Sequence, residues 1–241
     1  MIPKVIHYCW FGKKPLPTLA VNCIDSWKKF CPDYEIIEWN EKNFDINSNT
    51  YVREAYENKK WAFVSDYVRL YALYNHGGIY MDTDVQVLKP LDAFLNDQAF
   101  SGFEAYDRVP TGIMGAEKEH HFFKKLLDYY TDRKFVLNDG KFDYTTNVEI
   151  ITKYCYDRGL NLNNTKQTIE NFTLYPSDYF CPKDYITKKV NITVNSYAIH
   201  HFDGSWVPKT QKINGRIRMM IKNILGKAMT QKVINFKRRL K

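Results

Sequence analysis

The chain has 241 residues, 44% apolar and 16% aromatic, enough for a sizeable packed core and too apolar for a disordered chain. Its net charge of +8 is uneven: residues 208–241 hold 11 Lys and Arg and no acid, leaving 24 basic against 27 acidic residues before them. A slightly acidic body argues against nucleic acid as a partner. No run nears the ~18 apolar residues of a membrane-spanning helix, and the first residues lack a secretory pattern. Five cysteines at 9, 23, 31, 155 and 181, without CxxC spacing, fit reduced thiols. A cytoplasmic location is therefore expected, and the N-x-T sequons at Asn163, Asn171 and Asn191 are read as chance.

Residues 4–10, KVIHYCW, read as a strand. Residues 16–31 place Leu16, Leu19, Cys23, Trp27 and Phe30 at helical spacing, and YEIIEW at 34–39 reads as a second strand. A β-α-β start of this kind builds parallel sheet. A helical region follows over about 50–75; its last part, SDYVRLYALYNHGG, offers Ser65 as N-cap and Gly77 or Gly78 as C-cap. The next strand carries Asp82 and Asp84. AFSGFEA (99–105) and TGIMGA (111–116) read as strands, 118–132 and 147–158 as helices, the second with a Thr146–Glu149 capping box. ITVNSYAIHHFDGSW (192–206) reads as a last strand running into a loop. No repeat or linker precedes position 207, so 1–207 reads as one α/β domain and 208–241 as a basic amphipathic helical tail.

In a strand, positions i and i+2 point to one side, so Asp82 and Asp84 would face one point in space. They are either the wet face of an edge strand or two hard oxygen donors for Mg²⁺ or Mn²⁺ beside substrate phosphates. Asp66 and Arg69, three apart on a helix, are either a surface ion pair or a carboxylate and guanidinium that grip sugar hydroxyls. Trp10 ends the first strand, where an indole is either core or a stacking platform for a planar base. HHFDGSW places polar groups and Gly204 after a strand, as a loop that approaches a ligand does. Gly-rich dinucleotide and P-loop patterns are absent, so phosphate would be held by metal and side chains.

IPKVIHYCWFG, WAFVSDYVRLYALYNHGGIYMDTDVQVLKPL and HHFDGSW, in this order, resemble the DxD-containing glycosyltransferases of family 32, and more closely its short bacterial members from capsular and exopolysaccharide clusters. The glucosylating domains of large clostridial toxins are more distant relatives. The resemblance covers about residues 2–206; the middle block is specific, 92–190 is loose, and the tail lies outside it.

It implies a GT-A fold with a central, mostly parallel sheet, a nucleotide-sugar donor (UDP-galactose or UDP-glucose), Mn²⁺ or Mg²⁺, and transfer with retention of configuration. Trp10 resembles the base-stacking residue, Asp66 and Arg69 the pair on the donor sugar, Asp82 the ribose-side acid and Asp84 the direct metal ligand. Ser205 and Trp206 resemble the pair that covers the diphosphate. A further metal ligand is expected from His201 or Asp203, with His201 favoured. The implied acceptor is a saccharide, as in a lipid-linked capsular or exopolysaccharide precursor, and the tail is expected either to pack on the body or to lie on an anionic membrane surface. The rival readings are an inactive, membrane-binding relative and a nucleotide-sugar hydrolase.

Overall fold

The computed structural model describes residues 1–105, 108–109, 112–185 and 187–204; Ser205, Trp206 and the tail fall outside the described residues. Two compact units are distinguished: residues 1–183 with 189–202, and residues 184–188 with those from 203 onward. The first carries the architecture. Among the described residues no helix is long and apolar enough to cross a membrane.

The β-α-β start holds. β1 (Val5–Cys9) leads through α1 (Thr18–Phe30) to β2 (Glu35–Trp39), which pairs with β1 in parallel. The helical region divides at residues 58–60 into α2 (Thr50–Glu57) and α3 (Trp61–His76). Ser65 is not the N-cap of α3: the helix begins at Trp61, and the Ser65 hydroxyl donates to the Trp61 carbonyl one turn back. Gly77 does close it, at φ 67, its N–H donating to the Leu73 carbonyl.

The remaining strands are β3 (Gly78–Met81), β4 (Val85–Val87), β5 (Ala99–Gly102), β6 (Ile113–Ala116), β7 (Gln167–Ile169), β8 (Phe172–Tyr175) and β9 (Ala198–His200). The helices expected at 118–132 and 147–158 are α4 (His121–Asp128) and α5 (Asn147–Tyr156); α5 starts from the Thr146–Glu149 capping box. A one-turn helix, α6 (Ser177–Phe180), follows β8.

Seven strands form the main sheet in the order β2-β1-β3-β6-β5-β8-β7. β6 and β7 run antiparallel to their neighbours, so the other five point one way and the sheet is mostly parallel. Alternation along the central strands feeds two cores. Ile6, Tyr8, Ile79 and Met81 join Cys23, Ile24 and Trp27 of α1 on one face; Cys9 and Tyr80 join Val64, Val68 and Leu73 of α3 on the other. β4 and β9 leave this sheet and pair with each other. The last strand was expected to begin at about 192 and run into a loop; only Ala198–His200 is strand, and 192–197 is irregular.

Candidate functional site

β1 leads outward to β2 on one side, and β3 lies on the other, so the order reverses between β1 and β3. Ligands of open α/β sheets bind beyond the carboxyl ends of strands at such a reversal. The β1–β3 register pairs Ile6 with Ile79 and His7 with Tyr80. Trp10 and Asp82, each just past its strand, therefore both leave the sheet at its carboxyl edge.

Asp82, Thr83 and Asp84 are not in a strand. They form a turn between β3 and β4, closed by the Val85 N–H donating to the Asp82 carbonyl at 3.0 Å. The Asp82 N–H donates to the Gly112 carbonyl at 2.8 Å, which extends the β3–β6 ladder by one step. β4 then pairs with β9 in a register that sets Val85 opposite His200, and the His201 N–H donates to the Asp84 carbonyl at 2.9 Å. His200 Nε2 consequently lies 3.3 Å from Asp84 Oδ1 and 3.9 Å from Asp82 Oδ2. Ligand atoms of Asp82, Asp84 and His200 all fall within 4.8 Å of one another. Two carboxylates and an imidazole in such a cluster are the hard and borderline donors that Mn²⁺ or Mg²⁺ accepts, so the residues present fit a divalent cation.

The expectation put His201 in this group; the structure puts His200 there. His201 points to the other side of β9, with Nε2 3.0 Å from Gln86 Oε1 and Nδ1 3.4 Å from Lys183 Nζ. Successive strand residues face opposite ways, so the two histidines cannot share the role. Asp203, weighed as the alternative, belongs to the second unit. Burial works against a charged His200, but the Asp84 carboxylate and its hydrogen bond, joined by the Cys181 thiol, outweigh it and hold the imidazole well above its usual value. The charge pattern that retains a proton there would also retain a cation.

Asp66 and Arg69 are no surface pair. They are 8% and 5% exposed, on the inner side of α3. Arg69 Nη2 lies 3.5 Å from Asp66 Oδ1 and 3.1 Å from Asp82 Oδ1, with the guanidinium 4.6 Å over the Tyr80 ring. Tyr80 also donates to Asp82 Oδ1 at 2.9 Å. Burial opposes the Arg69 charge, yet Asp82, Tyr80 and Asp66 keep it firmly protonated. Asp66 accepts from the Asn147 N–H at the start of α5 (3.3 Å), while the Asn147 amide donates to the Asp66 carbonyl (2.6 Å) and accepts from the buried Tyr130 hydroxyl (2.6 Å). Burial pushes the Asp66 carboxyl up to about 6, against the downward pull of Arg69.

Trp10 is half-buried and packs partly on the α1-side core; its indole N–H donates to the Lys14 carbonyl at 2.6 Å. Sequence reasoning missed Tyr80, Asn147 and Gly112, which build the site, and placed His200 in the HHFDGSW loop without choosing it as the donor beside the acids. A Cβ on Gly112 would stand 2.8 Å from His200 Nδ1, so only glycine seats the ring. The Gly in TGIMGA was the available signal for that close approach. Asn147 carried none beyond its place after the capping Thr146.

Residues 17–101 match the family model described as a glycosyltransferase sugar-binding region containing a DXD motif. Asp66, Arg69, Asp82 and Asp84 lie inside that stretch; Trp10 and His200 lie outside it. The chain thus carries a DXD-type glycosyltransferase region. Inositol phosphoceramide mannosyltransferase 3 of Schizosaccharomyces pombe is 28% identical over 130 residues, 52% of this chain and 36% of the relative. The chain therefore spans little more than a third of that relative's length. An uncharacterized glycosyltransferase, L373, of Acanthamoeba polyphaga mimivirus is 25% identical over 226 residues, 86% of this chain and 85% of its own. The solved galactosyltransferase LgtC, in complex with donor and acceptor sugar analogs, aligns at a TM-score of 0.44 and 13% identity over 86% of this chain and 91% of its own, too distant to argue from.

Proposed function

We propose that the protein is a metal-dependent glycosyltransferase that moves a hexose from a nucleotide-diphosphate sugar to a hydroxyl of a lipid-linked saccharide. The observation that carries this reading is the convergence of Asp82, Asp84 and His200 within 4.8 Å, beside the buried Asp66–Arg69 pair, in and next to a glycosyltransferase sugar-binding region. A nucleoside diphosphate leaves readily only when its growing negative charge is neutralised. A divalent cation held by Asp82, Asp84 and His200 supplies that Lewis acidity when bound. Arg69 holds Asp82 by one oxygen, so the other can face the diphosphate, and Asp66 accepts from a sugar hydroxyl. Trp10 stacks on the base, and Ser205 and Trp206 cover the diphosphate. The family resemblance implies a retaining, front-face reaction in which a donor phosphate oxygen takes the acceptor proton, and among the described residues no carboxylate stands apart as a nucleophile.

UDP-galactose and UDP-glucose are the favoured donors. The mannosyltransferase names among the relatives make a nucleotide-linked mannose the donor to test beside them. The acceptor favoured by the resemblance is a capsular or exopolysaccharide precursor, reached by a cytoplasmic protein lying peripherally on the inner membrane face through residues 208–241. The test is a thermal-shift and turnover panel of nucleotide sugars with Mn²⁺. Asp84→Ala should lose metal-dependent donor binding and about two to three orders of magnitude in turnover. Full turnover in EDTA, or in Asp84→Ala, sinks the metal-assisted reading.

A further inference from the structure

The segment that leads into β9 has an unusual surface. Val190, Ile192 and Val194 are 46%, 58% and 87% exposed, three β-branched side chains two residues apart that all reach solvent. The alternate residues tie the segment to the body. The Asn191 N–H donates to the Pro182 carbonyl at 2.8 Å. The Thr193 hydroxyl donates to Asp178 Oδ2 at 2.9 Å, and the Asn195 amide reaches the same oxygen at 3.2 Å. Ser196 closes the turn, accepting from the Thr193 N–H at 3.0 Å and donating to the Asp178 carbonyl at 2.7 Å. A segment fixed this firmly does not expose its apolar face by fluctuation, and large exposed apolar groups in a row mark an interaction surface.

The charge around the row decides the partner. Lys183 stands beside Val190 through their antiparallel bridge, Lys189 precedes Val190, and Lys89 donates from Nζ to the Val194 carbonyl. The nearby Asp178 carboxylate is engaged by the Thr193 hydroxyl and the Asn195 amide. Aliphatic side chains ringed by lysines match an anionic bilayer, where the apolar groups enter the acyl boundary and the ammonium groups stay at the headgroups. We propose that Val190, Ile192 and Val194 form a lipid-docking edge for an anionic membrane surface, independent of the basic tail.

The edge is also well placed. Val194 precedes His200 by six residues, which limits the path between them to about 20 Å. A membrane held at Val194 would thus keep a lipid-linked acceptor within reach of the site; this consequence, unlike the docking itself, rests on the proposed glycosyl transfer.

The experiment uses the full chain with Val194→Cys carrying an environment-sensitive fluorophore, which is selective because all five native cysteines are buried. Vesicles of phosphatidylcholine with phosphatidylglycerol should shift its emission to the blue, and neutral phosphatidylcholine vesicles should do so less. In flotation, the full-length Val190→Ser/Ile192→Ser/Val194→Ser protein should bind anionic vesicles at least about tenfold more weakly than wild type. Its melting temperature and its donor turnover on a soluble acceptor should not change. Unshifted emission on floated protein, or flotation of the triple variant equal to wild type, overturns the proposal and leaves binding to the tail. An equal blue shift on neutral vesicles overturns the role given to the lysines. The emission and flotation readouts need neither donor nor metal, so failure of the glycosyltransferase reading would appear separately, as absent turnover in wild type.

Discussion

Replacing Asp66 by Asn should favour the folded protein more at pH 8 than at pH 4. Asp66 is 8% exposed, and burial pushes its carboxyl up to about 6 although Arg69 and the Asn147 N–H pull it down. In the unfolded chain it titrates near 3.9, the ordinary value for aspartate. A carboxyl whose pKa is raised by folding binds its proton better in the folded state. Its cost is therefore absent well below about 4, grows as pH rises and is complete above about 6. Two pKa units at 1.36 kcal/mol each make that cost about 3 kcal/mol. Asparagine carries no charge and incurs none of it. It brings a different penalty, because its amide NH₂ must face either Arg69 or the Asn147 N–H. That penalty is the same at both pH values and cancels in the difference. Urea unfolding should give a variant-minus-wild-type stability about 2.4 kcal/mol more favourable at pH 8 than at pH 4, because a small part of the cost is already present at pH 4. Equal values at the two pH points would refute the assigned burial cost. Donor turnover should fall at every pH, since a functional site retains such a group at the expense of stability.

His7 should act in the opposite sense. Its Nδ1 accepts from the Trp39 indole at 3.1 Å and its Nε2–H donates to the Gly77 carbonyl at 2.8 Å, and burial lowers its pKa to about 4. A base depressed by folding supports stability above its unfolded value of about 6.5 and loses about 3 kcal/mol as pH falls towards 4. In wild type the relief at Asp66 offsets this loss; in Asp66→Asn it should be exposed as a steep fall in stability from pH 6.5 to 4, and a flat profile would show that His7 is not the titrating group. His200→Ala should weaken Mn²⁺ binding by calorimetry at least about tenfold, whereas His201→Ala should leave it within about twofold; the reverse ranking would restore His201 as ligand. Trp10→Ala should lower UDP affinity by about 1–3 kcal/mol. Unchanged affinity would return the indole to a packing role.

What could be read from the chain tracks where one physical signal dominates. β1, α1, β2 and the end of α3 were legible because periodicity and Gly77 act locally. The start of α3 was not, because Ser65 looks like a cap only until the apolar WAFV before it is seen to continue the helix. β7 and β8 escaped notice because β7 exposes Thr168 at the sheet edge and the short hairpin turns on Glu170 and Asn171, both at positive φ. The choice between His200 and His201 was unreadable for a definite reason. Ala198 and Ile199 are both buried, so alternation along β9 leaves no polar-apolar contrast from which to fix the facing side.

Asp82 and Asp84 converge for a reason that differs from strand geometry. A strand continuing through Asp82 and Asp84 would turn both to one side but would bring nothing opposite them. Here the chain changes sheets between them: Asp82 still belongs to the β3–β6 ladder through Gly112, and Val85 already pairs with His200. The change of sheet brings the His200 imidazole to the two carboxylates, and the missing side chain at Gly112 gives it room. It also divides the labour of Asp82. Its Oδ1 takes Arg69 and Tyr80 at 3.1 and 2.9 Å, a buried charge-assisted pair, while Oδ2 is the oxygen 3.9 Å from His200. Arg69 thus offsets one negative charge from behind and fixes the carboxylate plane before any ligand arrives. A site arranged in this way needs little reorganisation to accept a cation and a diphosphate, and preorganised charge is what stabilises a leaving group best.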